Sequence, residues 1–278
     1  MGCLITGIIL VILGFLLDRE IYFYEGAHLG PRVQAWLYDR WARKYDEGKH
    51  ASQSCDDEML ARPLMDALGA IPEPFILDFA TGTGRLSLAL CKRPAFGGRI
   101  LALDLSQGML EHAAAKLQHA SPVQASRVEL LRHQSLPLPF PEATFDAVCA
   151  LEVLELFPSM DEPLREFARV LRPGGILLAS RGTEQSGRKA RVKSTVEVFS
   201  LLEAHGFENI RVTTWWKLFD RVLAHKRGSS NPAGSRSLAE VLRCAACGRT
   251  QWRREPDALK CEVCGRELVI TPEAIVLG

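Results

Sequence analysis

Charge is missing from the start of this chain: MGCLITGIILVILGFLL runs seventeen residues before Asp18 supplies the first charged side chain. The stretch also lacks a positive n-region and a small-residue cleavage site, which argues against a cleaved secretory leader. Net charge is nearly absent as well. At +1, with 34 Lys and Arg against 33 Asp and Glu, the protein is neither uniformly basic nor uniformly acidic. No internal repeat is visible, and 47% hydrophobic with 24% charged residues is the make-up of a globular chain, not a disordered one. Cysteine is not scarce, but an extracellular disulfide framework is. Cys3, Cys55, Cys91 and Cys149 are scattered and read as small apolar residues, while the other four form two C-x-x-C pairs near the C-terminus. That distribution suits a reduced compartment and one metal site.

As a helix, the uncharged stretch reaches about 26 Å, slightly short of a hydrocarbon core of about 30 Å. Asp18-Arg19-Glu20 and the aromatic IYFY that follow suit the headgroup level. The expectation is a transmembrane helix and a membrane anchor over 1–24, with a buried core helix as the alternative. Gly2 and Thr6 also fit, weakly, a myristoylation pattern. Arg19, Arg32, Arg40, Arg43 and Lys44 follow the anchor, so the positive-inside tendency places the body in the cytoplasm of a single-pass membrane protein.

Beyond it, 25–70 reads as two helices, over 31–48 and 53–69. Strands and helices then alternate from 71 to 227. PFILDF, GRILALDL, RVELLRH, FDAVCAL and ILLASR are strands, and NIRVTTWW with KLFDRVLAHK gives two more. RLSLALCKR, SQGMLEHAAAKLQHA with Ser106 as N-cap, MDEPLREFARVL stopped by Pro173-Gly174-Gly175, and STVEVFSLLEAHGF closed by Gly206 are helices. Such alternation implies an α/β fold, a seven-stranded, mostly parallel sheet with helices on both faces. GSSNPAGSRS opens a linker over 228–240, and the cysteine module occupies 241–278.

The loop after PFILDF carries the chemistry. Gly82-Thr-Gly84-Arg-Leu-Ser87 nearly meets the nucleotide-binding pattern G-x-G-x-x-G, and Asp104 lies twenty residues beyond Gly84. Small residues there let the backbone approach a cofactor, and an acid at the end of the second strand can accept hydrogen bonds from both ribose hydroxyls. D-x-A-T-G-T-G, LDLSQGMLEHA, LPLPFPEATFDAVCALEVLE and LREFARVLRPGG, in this order, resemble the class I S-adenosylmethionine-dependent methyltransferases, a Rossmann-like fold. The likeness is to the ubiquinone/menaquinone-biosynthesis branch, spans roughly 36–226, and includes YDRWARKYD at 38–46. It implies a cofactor site of Asp78, Ala80, Thr81, Gly82, Gly84, Asp104, Leu105, Met109, Gln134, Ser135 and Leu151. Asp78 would hold the cofactor's ammonium, directly or through water, and Met109 would touch its adenine or else serve as a core contact of its helix. Ala80 stands where the family has its first loop glycine, and Gln134 where it usually has an aspartate facing the adenine amino group, a bond the Gln carbonyl can also accept.

Methyl transfer from a sulfonium is chiefly alignment and desolvation. An oxygen or carbon nucleophile can also need a base. Glu152 and Glu155, after the fourth strand, are the catalytic candidates, each equally readable as surface charge, and His133 reads as a strand-end residue. Relatives often carry a histidine near Glu155, so the assignment of the base stays open.

Cys244, Cys247, Cys261 and Cys264 form C-x2-C-x13-C-x2-C, the spacing of a closed, structural four-thiolate zinc ribbon. CEVCGRELVITPEAIVLG also resembles the small zinc-binding activator subunit of tRNA, rRNA and protein methyltransferases. From 181 to 260 there are 16 Lys and Arg against 8 Asp and Glu, 16 − 8 = +8, a surface for RNA phosphates or anionic headgroups, or simply a solvated face.

The leading expectation is a membrane-tethered methyltransferase acting on a lipophilic or membrane-associated small molecule or lipid. One alternative is an RNA or protein methyltransferase docking its substrate on the ribbon. Another is a non-catalytic cofactor-binding scaffold, against which the intact Gly82, Gly84 and Asp104 argue. No protein partner is named by the sequence.

Overall fold

The structure, a computed structural model, describes residues 2–49, 53–134, 136–186 and 192–278. Helix α1 (Gly2–Asp18) runs into a π-helical turn over Arg19–Phe23, and α2 (Pro31–Tyr45) follows a tight turn. α3 (Arg62–Leu68) leads to β1 (Phe75–Phe79). Then come α4 (Arg85–Cys91), β2 (Arg99–Asp104), α5 (Gln107–Ala120), β3 (Val128–Arg132), β4 (Phe145–Ala150), α6 (Asp161–Val170), β5 (Leu171–Gly182), α7 (Thr195–Ala204), β6 (Phe207–Trp216) and β7 (Phe219–Lys226).

The alternation read from the sequence builds the expected Rossmann-like sheet. β3, β2, β1, β4 and β5 are mutually parallel, and β7 pairs antiparallel with both β5 and β6. β1 and β4 are buried along their whole length, as apolar runs covered on both faces must be. β1 lies between β2 and β4, so the strand order reverses there. Open α/β sheets bind ligands at the carboxyl ends of the strands at such a switch point.

The sheet has eight strands, one more than expected. Its extra member is β11 (Ile275–Leu277), from the far end of the cysteine module, parallel to β3 at the edge. β8 (Trp252–Arg254), β9 (Ala258–Cys261) and β10 (Glu267–Val269) form a small antiparallel sheet, whose Trp252, Leu259 and Leu268 belong to the same core as Leu131, Leu138 and Phe140. The segment read as a linker is docked. Ala233 N–H donates to Asp146 at 3.0 Å, Ser235 to the carbonyl of Glu73 and Arg236 to that of Thr144, both at 3.0 Å.

Two expectations need correction. The expected transmembrane helix is not found: α1 has 17 residues, and among the described residues no helix is long and apolar enough to cross a membrane. The other concerns the Pro-Gly-Gly stop. α6 ends at Val170, and Pro173-Gly174-Gly175 lie inside β5, where the pairing shifts register between Phe145 and Ala147. A Cβ on Gly175 would come within 3.0 Å of the Asp146 carbonyl, so this crossing tolerates only glycine.

Candidate cofactor site and cysteine cluster

A cavity of about 330 Å³ opens at the carboxyl ends of β1, β2 and β4. Of the expected cofactor residues it is lined by Ala80, Gly82, Asp104, Leu105, Gln134 and Leu151. The loop backbone explains why. Gly82 has φ +57°, and a Cβ there would find only the Tyr45 ring at 3.9 Å, leaving open approach to a ligand. Gly84 has φ +79°, and a Cβ would meet Ala113 at 3.1 Å, so this glycine lets α4 and α5 pack closely. Ala80 adopts φ +54°, a region costly for a residue with a Cβ.

Asp104 accepts from the Gly82 N–H at 2.8 Å and the Ser106 N–H at 2.9 Å. Burial pushes its carboxyl up to about 6, against the opposing pull of those backbone donors. The remaining lone pairs can take ribose hydroxyls.

Asp78, Thr81, Gly84 and Met109 do not line the cavity. Asp78 is buried under the loop and accepts from Thr81 Oγ1 and Ser87 Oγ, each at 2.7 Å, so it braces the turn from below. Ser87, where a third glycine would stand, is thus a partner of Asp78. Met109 is buried in α5, its N–H capped by Ser106 Oγ at 3.1 Å. Ser135 lies outside the described residues.

The two glutamates part company. Glu152 lines the cavity, but its carboxylate is held by Lys49 and Arg85, both at 2.8 Å. Glu155 is buried away from that cavity and accepts the Gly182 N–H at 2.5 Å. His133 and the apolar Phe79, Leu136, Leu156 and Phe157 complete the wall.

A feature not assigned from the sequence is the cover that α2 puts on the site. Tyr38 and Tyr45 line the cavity from one face of α2. Asp39 accepts from Ser106 Oγ at 2.6 Å and Gly108 N–H at 2.9 Å, at the start of α5. Asp46 accepts from Thr83 Oγ1 at 2.7 Å, Lys116 at 2.8 Å and Gln53 at 2.9 Å. Burial would raise Asp46, but these donors hold it below the ordinary carboxylate range. Lys49 also donates to Tyr45 at 2.7 Å. Burial would lower its ammonium, yet Tyr45 and Glu152 carry it up to about 12. The signal was available: Tyr38-Asp39 and Tyr45-Asp46 are seven residues apart, two helical turns on one face.

The four module cysteines converge as their spacing predicted. Their sulfurs all lie within 4.8 Å of one another, with Cys244–Cys264 and Cys247–Cys261 at 3.6 Å. Thiolates about 2.3 Å from a common zinc stand roughly 3.8 Å apart in a tetrahedron, so the set fits that ion. Each knuckle closes alike. Gly248 and Gly265, at φ +73° and +75°, donate to the carbonyls of Cys244 and Cys261 at 2.7 and 2.9 Å. Of the basic residues between 181 and 260, several already have partners within the chain. Arg181 pairs with Asp220, Arg254 with Glu129 and Lys260 with Glu267, while Arg221 and Lys226 donate to backbone carbonyls.

A parallel sheet with a glycine-turn cavity at its switch point and an acid on the second strand defines an α/β protein of the nucleotide-cofactor-binding kind. Residues 76–175 match the methyltransferase domain family. The demethylmenaquinone methyltransferase of Symbiobacterium thermophilum is 31% identical over 155 residues, covering 56% of this chain and 61% of that protein. That of Lactococcus lactis is 34% identical over 144 residues, covering 52% and 56%. The chain therefore spans less than two thirds of the length of these curated relatives. A methyltransferase structure from Aquifex aeolicus superposes with a TM-score of 0.54 at 21% identity, over 67% of this chain and 97% of that one, a likeness of fold. Residues 76–175 thus carry a methyltransferase domain, and the chain is similar to S-adenosylmethionine-dependent methyltransferases of the ubiquinone/menaquinone branch.

Proposed function

We propose that the protein transfers the methyl group of S-adenosylmethionine to a carbon of a quinone-like, lipophilic acceptor. The observation that carries this reading is one continuous cavity, polar at Gly82 and Asp104 and apolar at Phe79, Leu136, Leu156 and Phe157. Gly82 and Asp104 would hold the ribose end of the cofactor, and Gln134 the adenine. The cofactor supplies an electrophilic methyl on sulfur. The chain's part is to lay the acceptor ring against the apolar wall, in line with that methyl, and to exclude water beneath α2.

Carbon methylation ends with loss of a ring proton, so a proton acceptor at the cavity wall is useful. Glu152 occupies that wall with both carboxylate oxygens already paired to Lys49 and Arg85, so in this reading it clamps those two cations and the ring proton passes to water. A zinc ion on Cys244, Cys247, Cys261 and Cys264 would be structural, since all four positions of a tetrahedron are filled by protein.

The test is calorimetric titration of the purified protein with S-adenosylmethionine, followed by turnover of a short-chain demethylated naphthoquinol. Binding that is lost in Asp104→Ala, with a methylated ring as product, supports the proposal. Absence of binding by the folded, metal-loaded protein overturns it in favour of a scaffold.

A further inference from the structure

The helix that fails to span a membrane still has a surface to account for. Ile8 through Leu13 and Phe15 through Leu17 are about half to three quarters exposed, so over 8–17 α1 is apolar on every side and none of these side chains is buried. A groove on a protein covers one face of a helix, whereas hydrocarbon covers all of them. Its base is not slack. Glu20 accepts from His28 Nδ1 at 2.9 Å and from the His28 N–H at 3.1 Å, and the Gly26 N–H donates to the Glu20 carbonyl at 3.0 Å. These bonds fix the turn between α1 and α2.

The neighbouring surface has the matching composition. Val33, Trp36, Arg40 and Arg43 recur along the exposed face of α2, with Leu29 and Tyr22 beside the turn. The Arg40 guanidinium lies 5.9 Å over the Trp36 ring, and Arg19 donates to Tyr24 at 3.2 Å. Exposed aromatic rings and arginines beside an apolar helix are what a headgroup layer stabilises, the rings by amphipathic burial and the cations by anionic lipid. The same segment contributes Ala27, Pro31 and Gln34 to the lining of the cavity.

We propose that α1 and the outer face of α2 form a docking surface for an anionic lipid bilayer, α1 immersed in hydrocarbon without crossing it and Trp36, Arg40 and Arg43 at headgroup level. The segment that lines the cavity with Ala27, Pro31 and Gln34 then adjoins the layer that dissolves a lipophilic acceptor. The inference deepens the acceptor reading above and rests on it for the acceptor's route, not for the lipid contact.

The experiment is vesicle flotation of the full chain on phosphatidylcholine, with and without about one third phosphatidylglycerol, beside calorimetric cofactor binding in every variant. Expected is partition onto both vesicles, roughly tenfold stronger with the anionic lipid. Ile12→Asp with Leu13→Asp removes partition onto both, and Arg40→Glu with Arg43→Glu removes only the anionic gain. Brominated acyl chains quench the wild type and spare Trp36→Phe. Cofactor affinity stays constant throughout, so its loss would indict the methyltransferase reading instead. Partition indifferent to these substitutions overturns the proposal. So does self-association that vanishes with the α1 variant while vesicles are ignored, which would make a second copy the occupant.

Discussion

Asp104 holds the site's electrostatics at the scale of one residue. Its carboxyl sits at about 6, above the unfolded value near 4, because burial disfavours its charge. The sign follows from linkage. A raised carboxylate stabilises the fold most at low pH and loses that contribution as pH rises through 6, whereas ribose hydroxyls need the ionised form. Cofactor affinity should therefore weaken up to about tenfold per pH unit below 6. Asp104→Asn should bind weakly with no such dependence, and calorimetry between pH 5 and about 8 separates the two. Ala80 yields a stability prediction. At φ +54° its Cβ is crowded, so Ala80→Gly should stabilise the protein by up to about 1 kcal/mol in urea denaturation. The positions of Gly82 and Asp104 at the cavity were legible because the glycine turn and the strand end follow from spacing. The side-chain direction of Asp78 was not, since spacing does not say that Thr81 and Ser87 claim its oxygens from below.

Among the elements, α2 turns an open switch point into a covered site. Its Asp39 supplies the carboxylate at the start of α5, and its Asp46 ties the glycine loop through Thr83. Asp46→Ala should leave a folded protein whose cofactor affinity falls about five- to tenfold, since three donors lose their shared acceptor. Unchanged affinity would reduce α2 to a packing element. Glu152 is the companion case. Arg85 is largely buried and shared between Asp56 and Glu152, so Glu152→Gln should cost about 2 kcal/mol of stability. If Glu152 only clamps, the pH profile of kcat keeps its shape in this variant; a lost acidic limb would make it the base after all. Periodicity revealed α2 as a helix. Which elements its aspartates reach depends on the tertiary packing of Gly108 against Asp39, where a Cβ would come within 3.1 Å.

The whole molecule joins a four-cysteine module to a sheet edge. The sequence reads 241–278 as a cysteine module after a linker, and its spacing does not say where the module packs; the apolar Ile275–Leu277 supply the answer. They complete the sheet. Ile275 and Val276 pair with Leu130 and Leu131, and the Gly278 N–H donates to the Arg132 carbonyl at 3.0 Å, next to His133 and Gln134 at the cavity. A bare β3 edge would expose its backbone groups and the apolar side chains that β11 now covers. Folding of the ribbon and integrity of the cofactor wall are therefore coupled, and metal binding should act on both. Stripping metal with a chelator, or replacing Cys264 by Ser, should lower Tm by roughly 5–10 °C. Amide exchange should rise along β3 as well as in the knuckles, and cofactor affinity should fall with it. Exchange confined to 244–265 would show that β11 stays paired without metal and that the module merely rides on the edge it covers.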